Sequence, residues 1–531
     1  MQISHRPPPQ MTKATTLRLI AVAAALGLLI AFGAACTSSG GQTPRAQAGA
    51  STATPAPTSA ATVDPTATVA AHSSAADPSP TTVSFVGKFD VNPVRATVGS
   101  SVTLSGSGFQ PNETLDLVWH TVNGQWNIQG KYNEEYHGRT FTDASSTIAQ
   151  VTTDTEGAFT ADMTVPDDFG FNHNITVEHG GQVLNRAGFQ LWPTVSISPA
   201  SGPVGTPITV TMKGIGSGYL ENNWMLVYDN GFDGVLTSVT THGAAQVVIP
   251  ATGDVGDHVL QIVHGAFTFP YLNGQQSPDP DRPVFTKTFT VTPGDPVTGT
   301  PPQDQGLPIE AGAAVQSNGS PLVWSDPKSG PINTAMTLHG AGFTAGQTVD
   351  FQWFRVTGNR ISGSGWDESS SDLGAATVAS DGSVSLSLKA LDDLGGPHRI
   401  EAIVGGKTMA TTSFTVTPSA LPLDVSSGPA GTDILIHLKG VGWTETANIY
   451  TVTYDNHYVG YVCGFNSQGD VQLHLPLAGA PGPHYIDLYP AIYKGDEAHG
   501  VNDFRIPQLS YAQDHPGERL PAFQYVVNVT K

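Results

Sequence analysis

Cysteine is almost absent from this 531-residue chain, which has only Cys36 and Cys463. No disulfide framework can hold its domains, so each must be stable through its own apolar core. Charge is scarce too, at 13% of residues against roughly 25% in ordinary soluble domains. Basic charge is the scarcest: 23 Lys and Arg face 44 Asp and Glu, a net charge of −21. With no basic stripe to neutralise phosphates, nucleic acid is excluded as a partner, and acidity on this scale serves solubility. Enzyme signatures are missing as well, with no Gly-x-Ser-x-Gly elbow and no His-Glu-x-x-His. Gly406-Lys-Thr408 is no P-loop, because Glu401 stands where the earlier glycine belongs. No basic side chain adjoins Cys463, which reads as a small core residue rather than a nucleophile. The chain is therefore read as non-catalytic, with no cofactor and no metal.

Long apolar runs are absent apart from Leu19 to Ala35. That run follows a positive segment (His5, Arg6, Lys13, Arg18) and closes on Gly33-Ala-Ala-Cys36. It suits the apolar region of an export signal better than a membrane span. The segment resembles a bacterial lipoprotein signal, in which small residues precede a cysteine that becomes lipidated and N-terminal. It departs from that pattern at Gly33, where leucine is usual. The resemblance implies a signal over 1–36, lipidation at Cys36 and attachment to the outer face of a bacterial membrane. Cleavage after Ala46-Gln-Ala48 to release a secreted protein, or an uncleaved anchor, are the alternatives. All three put the bulk of the chain outside the cytoplasm. Residues 37–81 are Ala, Thr, Ser and Pro with almost no large apolar side chain. Such a segment cannot offset its ordering entropy by burial and is expected to be a disordered stalk.

What is abundant is glycine (59), proline (40) and a repeated phrase. Val195 to Gly216 reads as a strand, a Ser201-Gly-Pro203 turn, an alternating strand (Ile208, Val210, Met212) and a Gly214-Ile-Gly216 bend. Counterparts run from Val91 to Phe109, Ser325 to Phe343 and Asp424 to Trp443. A unit repeated four times places function in whatever decorates the repeat. The copies are of two kinds. One continues into Leu115-Asp-Leu-Val-Trp119 or Val349-Asp-Phe-Gln-Trp353; the other into Leu226-Val-Tyr-Asp-Asn230 or Val452-Thr-Tyr-Asp-Asn456. The order is A-B-A-B: modules A1 (82–192) and B1 (193–293), a flexible linker (294–316), then A2 (317–417) and B2 (418–531).

Modules of about 100 residues, with short alternating runs between Gly, Pro, Asn and Asp turns, predict an all-β chain of four tandem immunoglobulin-like β-sandwiches. The Ser-Pro-x-Ser-Gly-Pro-x-Gly-Thr…Gly-x-Gly phrase, close at Ser198 to Gly216 and loose at Val91 to Phe109, resembles the start of IPT/TIG domains. That resemblance implies an immunoglobulin-like fold in a cell-surface setting and carries over no catalytic residue.

His173, His258, His398 and His484 share one position, after a turn and at the head of a strand. Strung along a solenoid-like array they would lie tens of ångströms apart, too far to share an ion. Each is expected to bond a turn carbonyl instead. The pairs Asp167-Asp168 and Asp392-Asp393 are expected to cap turns. The Tyr-Asp-Asn segments should close hairpins, since Asp and Asn tolerate left-handed geometry.

The insertions carry the candidate ligand-binding residues: Trp126, Tyr132, Tyr136 and Trp366 in the A modules, Phe269, Tyr271, Tyr493 and Tyr511 in the B modules. Loops at the ends of sandwiches are common binding surfaces. These aromatics either take a glycan or a cell-surface protein, or fold back to fill the A–B junctions. Three functions remain open: a surface binder, a structural envelope spacer without a ligand, and an unrecognised hydrolase in the B insertions.

Overall fold

The computed structural model describes residues 85–129, 135–218, 221–266, 269–276, 282–298, 307–313, 315–358, 366–493 and 505–531. Cys36, the signal, the whole stalk, Tyr132 and part of the 294–316 linker lie outside them. Among the described residues there is no α-helix, only strands and two 3-10 turns at Gly274–Gln276 and Phe465–Ser467. Among those residues no helix is long and apolar enough to cross a membrane.

Each of the four copies pairs a three-stranded sheet with a larger one, five-stranded in A1, A2 and B2 and six-stranded in B1, where Phe269–Pro270 adds a short strand beside Gly256–Ala266. In A1 the smaller sheet is Lys88–Asn92, Ser101–Ser107 and Phe159–Thr164. The larger runs Arg95–Ala96, Gln182–Leu191, Phe171–His179, Thr114–Gln129 and Glu135–Thr152. The alternation read from the sequence is the packing pattern: Ile208, Val210 and Met212 are all fully buried, with intermediate residues between them. Each module has its own apolar core, and Trp119, Trp224 and Trp353 lie inside three of these cores. The Tyr-Asp-Asn hairpins form with both central residues left-handed, Asp229 and Asn230 at φ 46° and 67°, Asp455 and Asn456 at 49° and 62°.

The Ser-Gly-Pro phrase is more than the turn predicted for it. Ser201–Gly202 is a two-residue strand that crosses to the larger sheet and pairs parallel with Thr290 and Val291. Ser329–Gly330 and Ser427–Pro429 do the same in A2 and B2. The following Thr206 explains the glycine: a Cβ at Gly202 would lie 2.4 Å from its Oγ1, which donates to the Pro203 carbonyl at 2.7 Å.

The Gly-x-Gly bend of the B modules is a docking edge for the preceding A module. Gly170 pairs parallel with Gly216, and Gly395 with Gly442. The Gly170 amide donates to Ile215 O at 3.0 Å and the Gly395 amide to Val441 O at 3.1 Å. A Cβ at Gly170 would stand 1.8 Å from the Gly214 carbonyl oxygen, and one at Gly395 2.0 Å from that of Gly440. Backbone approach this close admits no side chain.

The modules are not strung out as a solenoid-like array. Residues 82–531 form one compact unit in which the two B modules touch. The B2 insertion reaches back, where Tyr489 and Leu509 join the B1 core and Ile506 packs on Met225, Val235 and Val263. Replacing Gly170 with valine should force A1 and B1 apart and lower stability by about 2 kcal/mol or more, read as a lower denaturation midpoint; an unchanged midpoint would show that the two backbones do not touch.

Candidate functional site

The paired aspartates divide their work at each A–B junction. Asp168 is buried in A1; its Oδ2 accepts from Trp119 Nε1 at 2.7 Å, and its Oδ1 from Thr121 Oγ1 and the Phe169 amide, both at 2.8 Å. In A2 the buried Asp393 takes Trp353 Nε1 at 3.0 Å, the Leu394 amide at 3.0 Å and, from B2, Gln468 Nε2 at 2.6 Å. The outer aspartates bridge to the B modules, Asp167 to Lys213 at 2.5 Å and Asp392 to Lys439 at 2.9 Å. Turn capping is thus one part of a junction role.

The four histidines follow one rule. Each Nε2 faces the carbonyl four residues back: Phe169, Asp254, Leu394 and Ala480. In the A modules Nδ1 faces a second carbonyl, His120 or Phe354, and the ring stacks on Trp119 or Trp353. In the B modules Nδ1 meets the hairpin aspartate, Asp229 or Asp455, at 2.5 Å. The Asp455 carboxylate raises the pKa of His484 against the opposing effect of burial. For His258 burial pulls downward, but the Asp254 carbonyl and the Asp229 carboxylate outweigh it.

The candidate aromatics separate into buried and exposed sets. Trp126, Tyr136 and Tyr511, for which the sequence leaves ligand contact and junction packing both open, are all buried. Trp126 and Tyr136 pack with Val239 of B1 and Ile492 of B2. Beneath them sits Asp514, 1% exposed, an acceptor that no motif or spacing marks out. Its Oδ1 accepts from Trp126 Nε1, the Thr240 amide and Thr240 Oγ1, each at 3.0 Å. Its Oδ2 accepts from Thr237 Oγ1 at 2.9 Å and the Val239 amide at 2.8 Å. One B2 carboxylate therefore ties down A1 and B1 together. A second cross-module bond runs from the Tyr136 amide to Glu445 Oε2 at 2.9 Å.

The remaining aromatics follow the B1–B2 seam. Phe269 is 53% exposed and meets Phe232 edge-on at 5.5 Å, which in turn meets Tyr458 at 6.2 Å. The Tyr458 hydroxyl donates to Arg505 O, and burial pushes its phenol up, aided by Tyr461 and opposed by Arg505. The Arg505 guanidinium lies 5.6 Å from the ring of Tyr461, itself 44% exposed, and 5.0 Å from that of Tyr493. Tyr493 continues to Phe465 at 5.3 Å. Tyr271 is half-buried beside this chain of rings, its hydroxyl donating to Gln276 O at 3.2 Å. Trp366 opens the strand Trp366–Thr377 opposite Gly358. Cys463, expected in a core, is instead exposed on an edge strand, and the packing around its sulfur pushes the thiol up, away from a reactive thiolate. Among the described residues no three His, Cys, Asp or Glu side chains converge as metal ligands.

No family model matches the chain, and no curated protein does. Solved structures similar to it include the D1–D4 ectodomain fragment of ICAM-5, at 12% identity and a TM-score of 0.17 over 83% of this chain and 99% of that one. Salmonella alpha-2-macroglobulin matches at 11% identity and a TM-score of 0.17 over 84% of this chain and 31% of its own. The Yersinia pseudotuberculosis adhesin InvE matches at 11% and 0.17 over 39% and 58%. The chain spans less than half the length of the two alpha-2-macroglobulins, 31% and 42%. Likeness at these TM-scores carries no argument about arrangement or function; the fold is immunoglobulin-like on its own strands.

Asp514→Ala would leave five buried donors unanswered, a loss of about 3 kcal/mol. Limited proteolysis between residues 505 and 515 should then run about 100-fold faster than in the wild type; an unchanged rate would mean that the carboxylate does not hold the segment.

Proposed function

We propose that this chain is a non-catalytic extracellular surface protein that binds a glycan along the aromatic seam between its two B modules. The observation that carries this reading is the run of rings Phe269, Phe232 and Tyr458, joined through Arg505 to Tyr461 and Tyr493, with Phe269 and Tyr461 exposed. Exposed rings beside a guanidinium stack on the apolar faces of sugars, and bonding partners such as the Arg505 side chain fix orientation. Phe269, Tyr271, Tyr461 and Tyr493 are the contact residues in this reading. Trp126, Tyr136 and Tyr511 are buried and make no ligand contact in this reading, while Trp366, and Tyr132 from the sequence alone, are candidates for secondary contacts. The B modules are read as IPT/TIG-like, and lipidation at Cys36 with a stalk over 37–81 would hold the sandwiches clear of a bacterial envelope.

A second reading, a spacer without a specific ligand, is favoured by the burial of Trp126 and Tyr136 at a module junction. Retention on polysaccharides and cell-wall fractions separates the two. The double variant Phe269→Ser, Tyr461→Ser should bind about tenfold more weakly than the wild type. Unchanged retention would move the site elsewhere; retention on a protein fraction alone would replace the glycan with a protein partner, and none at all would leave the spacer. Attachment is tested by metabolic labelling with a fatty acid: the label should appear on the wild type and vanish in Cys36→Ser, and an unlabelled wild type would remove the anchor.

A further inference from the structure

The seam that carries the rings also buries acid. Asp233 of B1 sits in Gly231–Leu236 at the bulge between Phe232 and Gly234 and is fully buried. Asp487 of B2 is 4% exposed and stands opposite Thr453 in the ladder between Ile449–Tyr454 and Gly482–Ala491. One Asp487 oxygen accepts from Gln524 Nε2 at 2.7 Å. The other has no donor among the described residues, nor do both oxygens of Asp233, Thr453 Oγ1 or Asn456 Oδ1. Thr453 and Asn456 are fully buried as well, and the amide nitrogen of Asn456 already reaches across to Pro250 O at 2.8 Å and Thr252 Oγ1 at 3.2 Å in B1.

An isolated charge or an unbonded polar oxygen in an interior is strongly unfavourable, and Asp233, Asp487 and the Thr453 opposite it leave such oxygens at one seam. Burial, with the charge of Asp487 added, drives Asp233 well above the carboxylate range. Burial likewise pushes Asp487 up to about 7, with Gln524 opposing and Asp455 assisting. The acids are also departures from the repeat. Counting from the shared Tyr-Asp-Asn and His positions, Val459 stands in B2 where B1 has Asp233, and Gln261 in B1 where B2 has Asp487. Each module thus carries its acid only on the side that meets the other.

We infer that the B1–B2 seam binds one divalent cation of the calcium class, with Asp233 and Asp487 as charged ligands and Thr453 Oγ1, which stands opposite Asp487 in the ladder, as a neutral one. The donor set is all oxygen and suits a hard ion rather than zinc or copper. Two carboxylates balance its charge. A shared proton would join the carboxyls but leave Thr453 Oγ1 unanswered.

The full-length chain, stripped with EDTA, tests this by calorimetric titration with Ca2+ or Mg2+, by tyrosine-sensitised Tb3+ luminescence and by thermal unfolding. Uptake of one ion per chain is expected, with a Tm raised by about 2–4 °C or more at saturation. Asp233→Asn and Asp487→Asn should each lose the uptake, while the exposed-site control Asp162→Asn keeps it. Should either variant fail to fold, the wild-type titration still decides. A wild type that takes up neither Ca2+ nor Mg2+ overturns the inference. So does one whose Tm ignores both ions and falls only as pH rises through about 7, because raised carboxyl pKa values then mean a shared proton that the folded state loses with rising pH.

Discussion

The carboxylate of Asp514 is the constraint on which the arrangement of the modules depends. It is buried, and all five of its donors come from A1 or B1. Hydrogen bonds to a charged acceptor in a water-free setting are among the stronger polar contacts a protein makes, and they are costly to leave half made. Around this one group the B2 insertion is committed to a path. The Val235 amide donates to Pro507 O, Leu509 returns a bond to Val235 O, and Ile506 fills the apolar surface alongside. A chain of four sandwiches is thereby folded back on itself, and the B1–B2 seam exists because of it.

The junction within each A–B pair rests on different physics. It is made of backbone: Gly170 against Ile215 and Gly395 against Val441, with no room for a Cβ on either side. The Asp167–Lys213 bridge beside it is half exposed and adds little to stability. The buried aspartate does more, fixing the core tryptophan of the A module at the edge where the B module docks. Both junctions are copies of one design, and this is why the duplicated pair behaves as a repeated unit.

Much of this was legible in the sequence because it is local. The alternation of Ile208, Val210 and Met212 gives a half-buried strand; Asp-Asn at a two-residue hairpin gives left-handed turn geometry; a histidine after a turn gives a bond four residues back. The smaller and larger sheets follow from such runs repeated in every module. What could not be read was the return of B2 onto A1 and B1, since Asp514 and Val239 are 275 residues apart and no pattern in either segment names the other. For the same reason the sequence left Trp126 and Tyr136 open between ligand contact and junction packing, and Cys463 looked like a core residue. The Gly-x-Gly phrase was visible, but its use as a docking edge depends on a glycine in the preceding module. Asp233 and Asp487 could have been noticed as departures from the repeat, at positions where the sister module has Val459 and Gln261.

The fold-back is tested most directly by amide hydrogen exchange in the full-length chain, read at Val235, Val239, Thr240 and Leu509. These amides are bonded only across the module boundaries. They are predicted to exchange slowly, with protection approaching that of the strand amides in the B1 core. Exchange as fast as in an exposed loop, with the core strands still protected, would mean four separate sandwiches on a string and would contradict the account.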